Sequence, residues 1–284
     1  MADIYLGLFI VALVSAASFL AALRVSRSTC RGLCDVVAVC VAVAVALENV
    51  VVRDKSLLMQ WLPVSNLIVV GNWSLLASCL LAGLVWNRVP ACRLRKGLIV
   101  SSLLFAGGYS TVAPLLGEPP KCDDVWDEVG ICHQTTNKTC TAASAATLLR
   151  MHGIDATEQE MAELCMTRNG TTWTGLYRGL KLKTAETPWD VDVVTGGIDN
   201  LRNVDGPLIL SVGLEKNAVV DANYESELGW IPGMGHTVVM LGSAKDGQVE
   251  IADPAPDVGR ELWSAEQFLV LWRGCAMRLV RRHE

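Results

Sequence analysis

The hydrophobic and polar positions along the chain divide it into two parts. Four apolar stretches, Ile4 to Leu23, Val36 to Val52, Leu67 to Trp86 and Leu98 to Leu116, fill most of the first part. Each approaches the roughly 20 helical residues needed to cross a hydrocarbon core of about 30 Å. The third is the cleanest, whereas the second carries Glu48 and Asn49 near its end. An acid so close to a helix end reads as reaching the interface rather than acting inside the membrane. At Gly117-Glu118-Pro119-Pro120 the pattern changes, because two prolines stop helix continuation and the long apolar runs cease. The expected organisation is a transmembrane helical domain over 1–117 and a globular domain over 118–284.

In the second part helical periods come first. The run from Thr141 to Leu149 is small on one side and apolar on the other, which predicts a helix beginning at Cys140, capped by Thr139 and ended at Gly153. Thr157-Glu158-Gln159-Glu160 has the form of a capping box for a helix reaching about Met166, and Ser264-Ala265-Glu266-Gln267 opens another. Thr174 to Leu182 reads as a short helix. Strand-like runs follow at Trp189 to Val194, Pro207 to Val212, His236 to Leu241 and Gln248 to Ala252. The last two flank Ala244-Lys245-Asp246-Gly247, whose Asp-Gly is a hairpin signal. Helices followed by antiparallel strands describe an α+β domain.

Composition sharpens this in three ways. A hydrophobic content of 51% and a net charge of −5 suit a membrane-associated chain and argue against a nucleic-acid partner, which needs clustered Lys and Arg. Asp3 and the lack of Lys or Arg before the first span speak for a retained anchor rather than a cleaved signal. Basic residues then orient the spans. Arg24, Arg27 and Arg31 mark the first loop and Arg88, Arg93, Arg95 and Lys96 the third, against Arg53 and Lys55 around Asp54 in the second. The first and third loops belong inside, so four spans place the globular domain on the outer face. Small residues on the fourth span, Ala106-Gly107-Gly108 and Ser110, permit close packing with another helix or a membrane-protein partner. Cys122, Cys132, Cys165 and Cys275 would allow two disulfides in an oxidising compartment, and free thiols are the alternative. No zinc-type spacing is present, so neither a metal nor a cofactor is expected.

The chemistry centres on Cys140. A cysteine in the first turn of a helix meets unpaired amides and the positive dipole end, which favour its thiolate. Gln134 lies six residues earlier, within reach as an oxyanion donor. His236 opens an apolar strand, and Asp253 ends the next strand seventeen residues on, placed to fix the imidazole. Nucleophile, base, orienting acid and oxyanion donor are thus all present. His133 competes poorly as base from beside Gln134, His152 reads as a helix end and His283 as a tail. Asp246 belongs to the turn and Asp257 to a loop, and Trp230 stands close enough to His236 to line a substrate groove.

These motifs resemble the C39 family of bacterial cysteine peptidases, papain-like domains known for trimming double-glycine leader peptides. The resemblance covers roughly 130–275 and rests on five segments. They are Gln134 through Cys140 with its small-residue helix, the Gly153 turn, Thr172-Trp173-Thr174-Gly175-Leu176, Gly235-His236-Thr237-Val238-Val239, and Ile251-Ala252-Asp253-Pro254. It implies a papain-like domain with a cysteine-bearing helix on an antiparallel sheet. It also implies an endopeptidase acting on a peptide or protein substrate, with Gln134, Cys140, His236 and Asp253 in the roles just given. The chain departs from the family at Thr139-Cys140-Thr141-Ala142, where Asp-Cys-Gly-Pro is usual, and carries no Walker A loop of an ABC exporter. A thioester acyltransferase and a degenerate peptide-binding signalling domain are the rival readings. The expectation is a stand-alone peptidase anchored in a bacterial inner membrane, in contact with lipid.

Overall fold

A computed structural model describes residues 1–27, 31–51, 56–202, 206–243 and 248–282. The chain divides into two compact units, one of Met1–Leu58 with Leu62–Leu116, the other of Met59–Trp61 with Gly117–Glu284. The residues before Gly117 are helical: α1 (Ala2–Val25), α2 (Arg31–Val51), α3 (Ser56–Trp61), α4 (Leu67–Val70), α5 (Ser74–Arg88) and α6 (Arg93–Val112), with the last three residues of α3 counted in the second unit. Among the described residues, three segments are long and apolar enough to cross a membrane: Ala2–Val25, Leu67–Arg88 and Arg93–Leu115. In the expected second span the described apolar helix covers only Cys34–Ala44. The side chains that follow, Glu48 and Asn49 included, lie outside the described residues.

Small residues set the packing of this unit. A Cβ on Gly83 would stand 2.6 Å from Phe19 O and 2.7 Å from the Ala22 Cβ, so glycine is what lets α5 approach α1. Gly107 does the same between α6 and α5, against Ser78 Oγ at 2.6 Å. The third expected span is not one unbroken helix. Gly71 ends α4, and the Asn72 side chain accepts the Ser74 N–H at 3.1 Å while donating to Ser110 O of α6 at 2.9 Å. Thus the backbone groups freed by the break are re-satisfied locally.

The second unit contains β1 (Val125–Trp126), β2 (Cys132–His133), α7 (Cys140–Met151), α8 (Glu158–Leu164), α9 (Trp173–Lys183), β3 (Trp189–Thr195), α10 (Asp199–Arg202), β4 (Leu208–Val212), α11 (Asn223–Ser226), β5 (His236–Ser243), β6 (Val249–Asp253), β7 (Gly259–Trp263), α12 (Ala265–Leu271) and β8 (Trp272–Arg281). Strands β3 to β8 form one antiparallel sheet in the order β3-β8-β4-β5-β6-β7. Leu208, Leu210, Val212, Val238, Met240 and Ile251 share its one face with Trp263, Phe268 and Leu271, which makes a core closed by α12. On the other face α7 packs against β5, where Ser144 Oγ donates to Thr237 O at 2.9 Å. Residues Thr141 to Leu149 are all buried, because the sheet and the helices α8 and α9 surround α7.

The four expected strands are present as β3, β4, β5 and β6; the turn expected between the last two, and His283, lie outside the described residues. Sequence reading passed over β7 and β8. In β8 Cys275, Ala276 and Met277 are all buried, since the strand lies between β3 and β4 with both faces covered, and no alternation is left to read. Helix α8 stops at Leu164 rather than near Met166, whose backbone is left-handed at φ 56°. Cys122, Cys132 and Cys165 carry no disulfide, so the alternative with two disulfides among the four domain cysteines is not the one adopted.

Candidate active site

Cys140 is the first residue of α7. Thr139 stands at the cap position, yet its hydroxyl does not cap the helix. It accepts the Thr136 N–H at 3.1 Å and donates to Thr136 O at 3.0 Å, closing the turn that leads into α7. This corrects the expected side-chain cap and leaves the first amides of α7 without one, next to the sulfur.

His236 is the first residue of β5 and Asp253 the last of β6. Antiparallel pairing of these strands turns a separation of seventeen residues into contact, with His236 Nε2 and Asp253 Oδ1 2.8 Å apart. The carboxylate is buried, and the same oxygen accepts the Ala255 N–H at 2.7 Å. With Nε2 so engaged, the hydrogen bond between His236 and the Cys140 thiol falls to the other ring nitrogen. Helix α7 is registered on β5 by Thr141 Oγ1 and Thr237 Oγ1 at 2.9 Å, each the next residue after one of the pair.

Burial raises the cost of a thiolate at Cys140. It is outweighed by the hydrogen bond and charge of His236, the Thr141 hydroxyl 3.9 Å from the sulfur and the Thr237 backbone, so the thiol titrates below its usual value. Burial likewise opposes an imidazolium, but the Asp253 hydrogen bond and the Cys140 sulfur push His236 up to about 10. Thiolate and imidazolium therefore favour one another as an ion pair.

Gln134 follows β2, and its N–H donates to Pro254 O at 2.7 Å, directly after Asp253. Its neighbour Thr135 donates from N and Oγ1 to the two oxygens of Glu158, at 2.8 and 2.6 Å, and Glu158 is fully buried. The loop is thus held from two sides, while Gln134 Oε1 is buried without a partner. His133 is turned away, its Nδ1 3.2 Å from Ala255 O and its Nε2 3.6 Å from Asp127 Oδ2. His152 caps the C-terminus of α7, with Nδ1 2.8 Å from Leu148 O, and Asp257 sits exposed in a loop.

The structure therefore joins Cys140, His236 and Asp253 and ties the Gln134 backbone beside them. Sequence reasoning missed Thr141, Ser144, Thr237 and Glu158. Their only signal was position, since three are polar residues in otherwise apolar runs that a packed helix and strand must satisfy.

A family described as "Peptidase_C39 like family" matches residues 126–276, just over half of the 284 residues. The chain belongs to this C39-like peptidase family. The cysteine peptidase fold expected from the motifs, a cysteine-bearing helix against an antiparallel sheet, is that of the C39-like domain. Among solved structures, the peptidase domain of Streptococcus ComA, a bi-functional ABC transporter involved in a quorum sensing pathway, is 22% identical. The match covers 53% of this chain and 96% of that one, with a TM-score of 0.41. A double glycine motif protease from an AMS/PCAT transporter, in complex with the leader peptide, is 18% identical over 58% of this chain and 94% of its own, with a TM-score of 0.39. No curated protein matches the chain.

Proposed function

We propose that the protein is a membrane-anchored cysteine endopeptidase that cleaves a peptide or protein at a small-residue site, of which Gly-Gly is the leading case. The observation that carries this reading is His236, hydrogen-bonded to Asp253 on one side and to the thiol at the start of α7 on the other. The Cys140 thiolate attacks the scissile carbonyl. The backbone amide of Cys140, left without a side-chain cap, and the Gln134 side-chain amide hold the oxyanion. Protonated His236 gives its proton to the leaving amine, and Asp253 keeps the ring oriented. Water then releases the acyl group from the sulfur. Thr141 in place of the family's glycine is compatible with this chemistry, because its hydroxyl pairs with Thr237 and its contact with the sulfur favours the thiolate.

Anchoring rests on the three long apolar segments, which expose Phe9, Leu13, Leu98 and Phe105 on their outer surface, as a lipid environment requires. In this reading the transmembrane domain is 1–117 and the peptidase domain 118–284, and with Arg31–Val51 counted as a fourth crossing the basic loop charge supports the outer face of the membrane for the latter. The test is site-specific alkylation of the full-length protein, read by peptide mass spectrometry. At pH 7 Cys140 reacts with iodoacetamide faster than an ordinary thiol, and cells carrying Cys140→Ala accumulate an unprocessed peptide. Ordinary reactivity at Cys140 together with an unchanged set of processed peptides would refute the enzyme.

A further inference from the structure

We infer that Glu261, Trp263 and Trp230 form a positioning chain for His236, in which Glu261 fixes the Trp263 indole and the two indoles, in edge-to-face contact, wall off the His236–Asp253 hydrogen bond from water. This deepens the peptidase reading and rests on it. Trp230 meets the His236 ring in a T-shaped contact, centroids 5.9 Å apart at 67°. It meets Trp263 in a second one at 5.8 Å and 79°. Trp263 is 3% exposed and anchored in the α12 core, and its Nε1 donates to Glu261 Oε1 at 2.7 Å. Glu261 and Trp263 stand on β7 opposite Ile251 and Val249, so they share the sheet face of Asp253, which stands opposite Gly259.

The segment that brings Trp230 there is itself tied down. The Trp230 N–H donates to Tyr224 O, Gly233 N–H to Leu214 O and Gly213 N–H to Leu271 O. Gly213, at φ 142°, admits no side chain, because a Cβ would lie 2.5 Å from Met234 O two residues before His236. The indole is therefore held beside the base by backbone as well as by its edge-to-face ring contacts.

Glu261 is costly where it stands. Burial raises its pKa and the Asp253 charge adds to this, against the Trp263 N–H and His236, which lower it. An apolar residue would pack there without the penalty. What the carboxylate supplies is an acceptor that fixes the indole. The titratable groups facing His236 are Cys140 from α7, Asp253 from β6 and Glu261 from β7. Excluding water strengthens the charge-assisted bond between imidazolium and Asp253, and that bond stabilises the thiolate.

The experiment measures Cys140 alkylation against pH for the full-length protein in detergent, with a thermal melt of each variant. Trp230→Ala is expected to move the acid limb of the rate profile up by about 0.5 to 1 pH unit, because a hydrated imidazolium supports the thiolate less well. Trp230→Phe keeps a ring and follows wild type. Glu261→Ala frees the indole and moves the limb the same way, whereas Glu261→Gln retains an acceptor and restores it. Should Trp230→Ala fail to fold, the partly exposed Glu261 pair decides. Superimposed profiles for wild type and Glu261→Ala, or equal shifts in Glu261→Ala and Glu261→Gln, would overturn the chain. A wild-type Cys140 no faster than an ordinary thiol would instead overturn the peptidase reading beneath it.

Discussion

At the scale of single residues, the Cys140–His236–Asp253 group makes its pH dependence predictable. The thiol titrates below its usual value and His236 up to about 10, so the ion pair fills the window between them. In the proposed peptidase reaction, hydrolysis needs both partners charged. It is expected to rise with pH at a point below the about 8.5 of a free cysteine and to fall as pH passes about 10, where His236 loses its proton. Asp253→Asn removes the carboxylate that raises His236, so the upper limb moves to lower pH; a limb that stays in place would separate Asp253 from the base. Thr141→Val tests the clamp between α7 and β5. It leaves the nearly buried Thr237 hydroxyl, 2.9 Å away, without its partner and should lower stability by about 1 to 3 kcal/mol in a denaturant melt. The loss of a hydroxyl beside the sulfur should also raise the pH at which Cys140 becomes reactive.

At the scale of elements, glycines on α9 give a prediction whose sign is not obvious. Alanine is favoured over glycine inside a helix by about 1 kcal/mol. Yet a Cβ on Gly175 would stand 2.3 Å from Cys165 O, a backbone atom that yields only if α8 and α9 move apart. Gly175→Ala is therefore expected to lower the melting temperature despite its propensity, and a rise would show that the helices separate freely. Ser264→Ala removes one half of the capping box that starts α12 and should cost about 1 kcal/mol. These elements also mark what was legible. Helix α12 could be read because its cap is local, and α9 because Thr172 accepts the Gly175 N–H within the same turn. Strand β5 showed through an apolar run next to a turn signal. By contrast β8 follows α12 with no residue between them, and both its faces are buried, so its boundary and its period are set by tertiary packing alone. Cys140, His236 and Asp253 were legible because each sits at the end of a regular element, where spacing alone brings it to the same edge. Glu158 and Thr237 were not, since their roles exist only once α8 and β5 have packed.

At the scale of the whole molecule, the proposed anchoring carries a prediction about the side of the membrane that the C39-like domain faces. Charge alone gives an answer: the loops after the first and third expected spans hold Arg24, Arg27 and Arg31, and Arg88, Arg93, Arg95 and Lys96, while the one between them is nearly balanced. Lys and Arg are retained on the cytoplasmic side of such short loops, so an even number of crossings carries the domain outward. The count turns on the helix Arg31–Val51, since Ala2–Val25, Leu67–Arg88 and Arg93–Leu115 are three segments of sufficient length without it. Three crossings with the same basic loops would leave one of those loops on the wrong side. The balance of charge thus favours four. A membrane-impermeant maleimide applied to intact cells tests this through the most reactive thiol of the domain. Cys140 is expected to be labelled before lysis, and Cys140→Ala to remove that label. Protection of Cys140 until the cells are opened, with labelling after lysis, would put the domain inside and overturn the outward assignment.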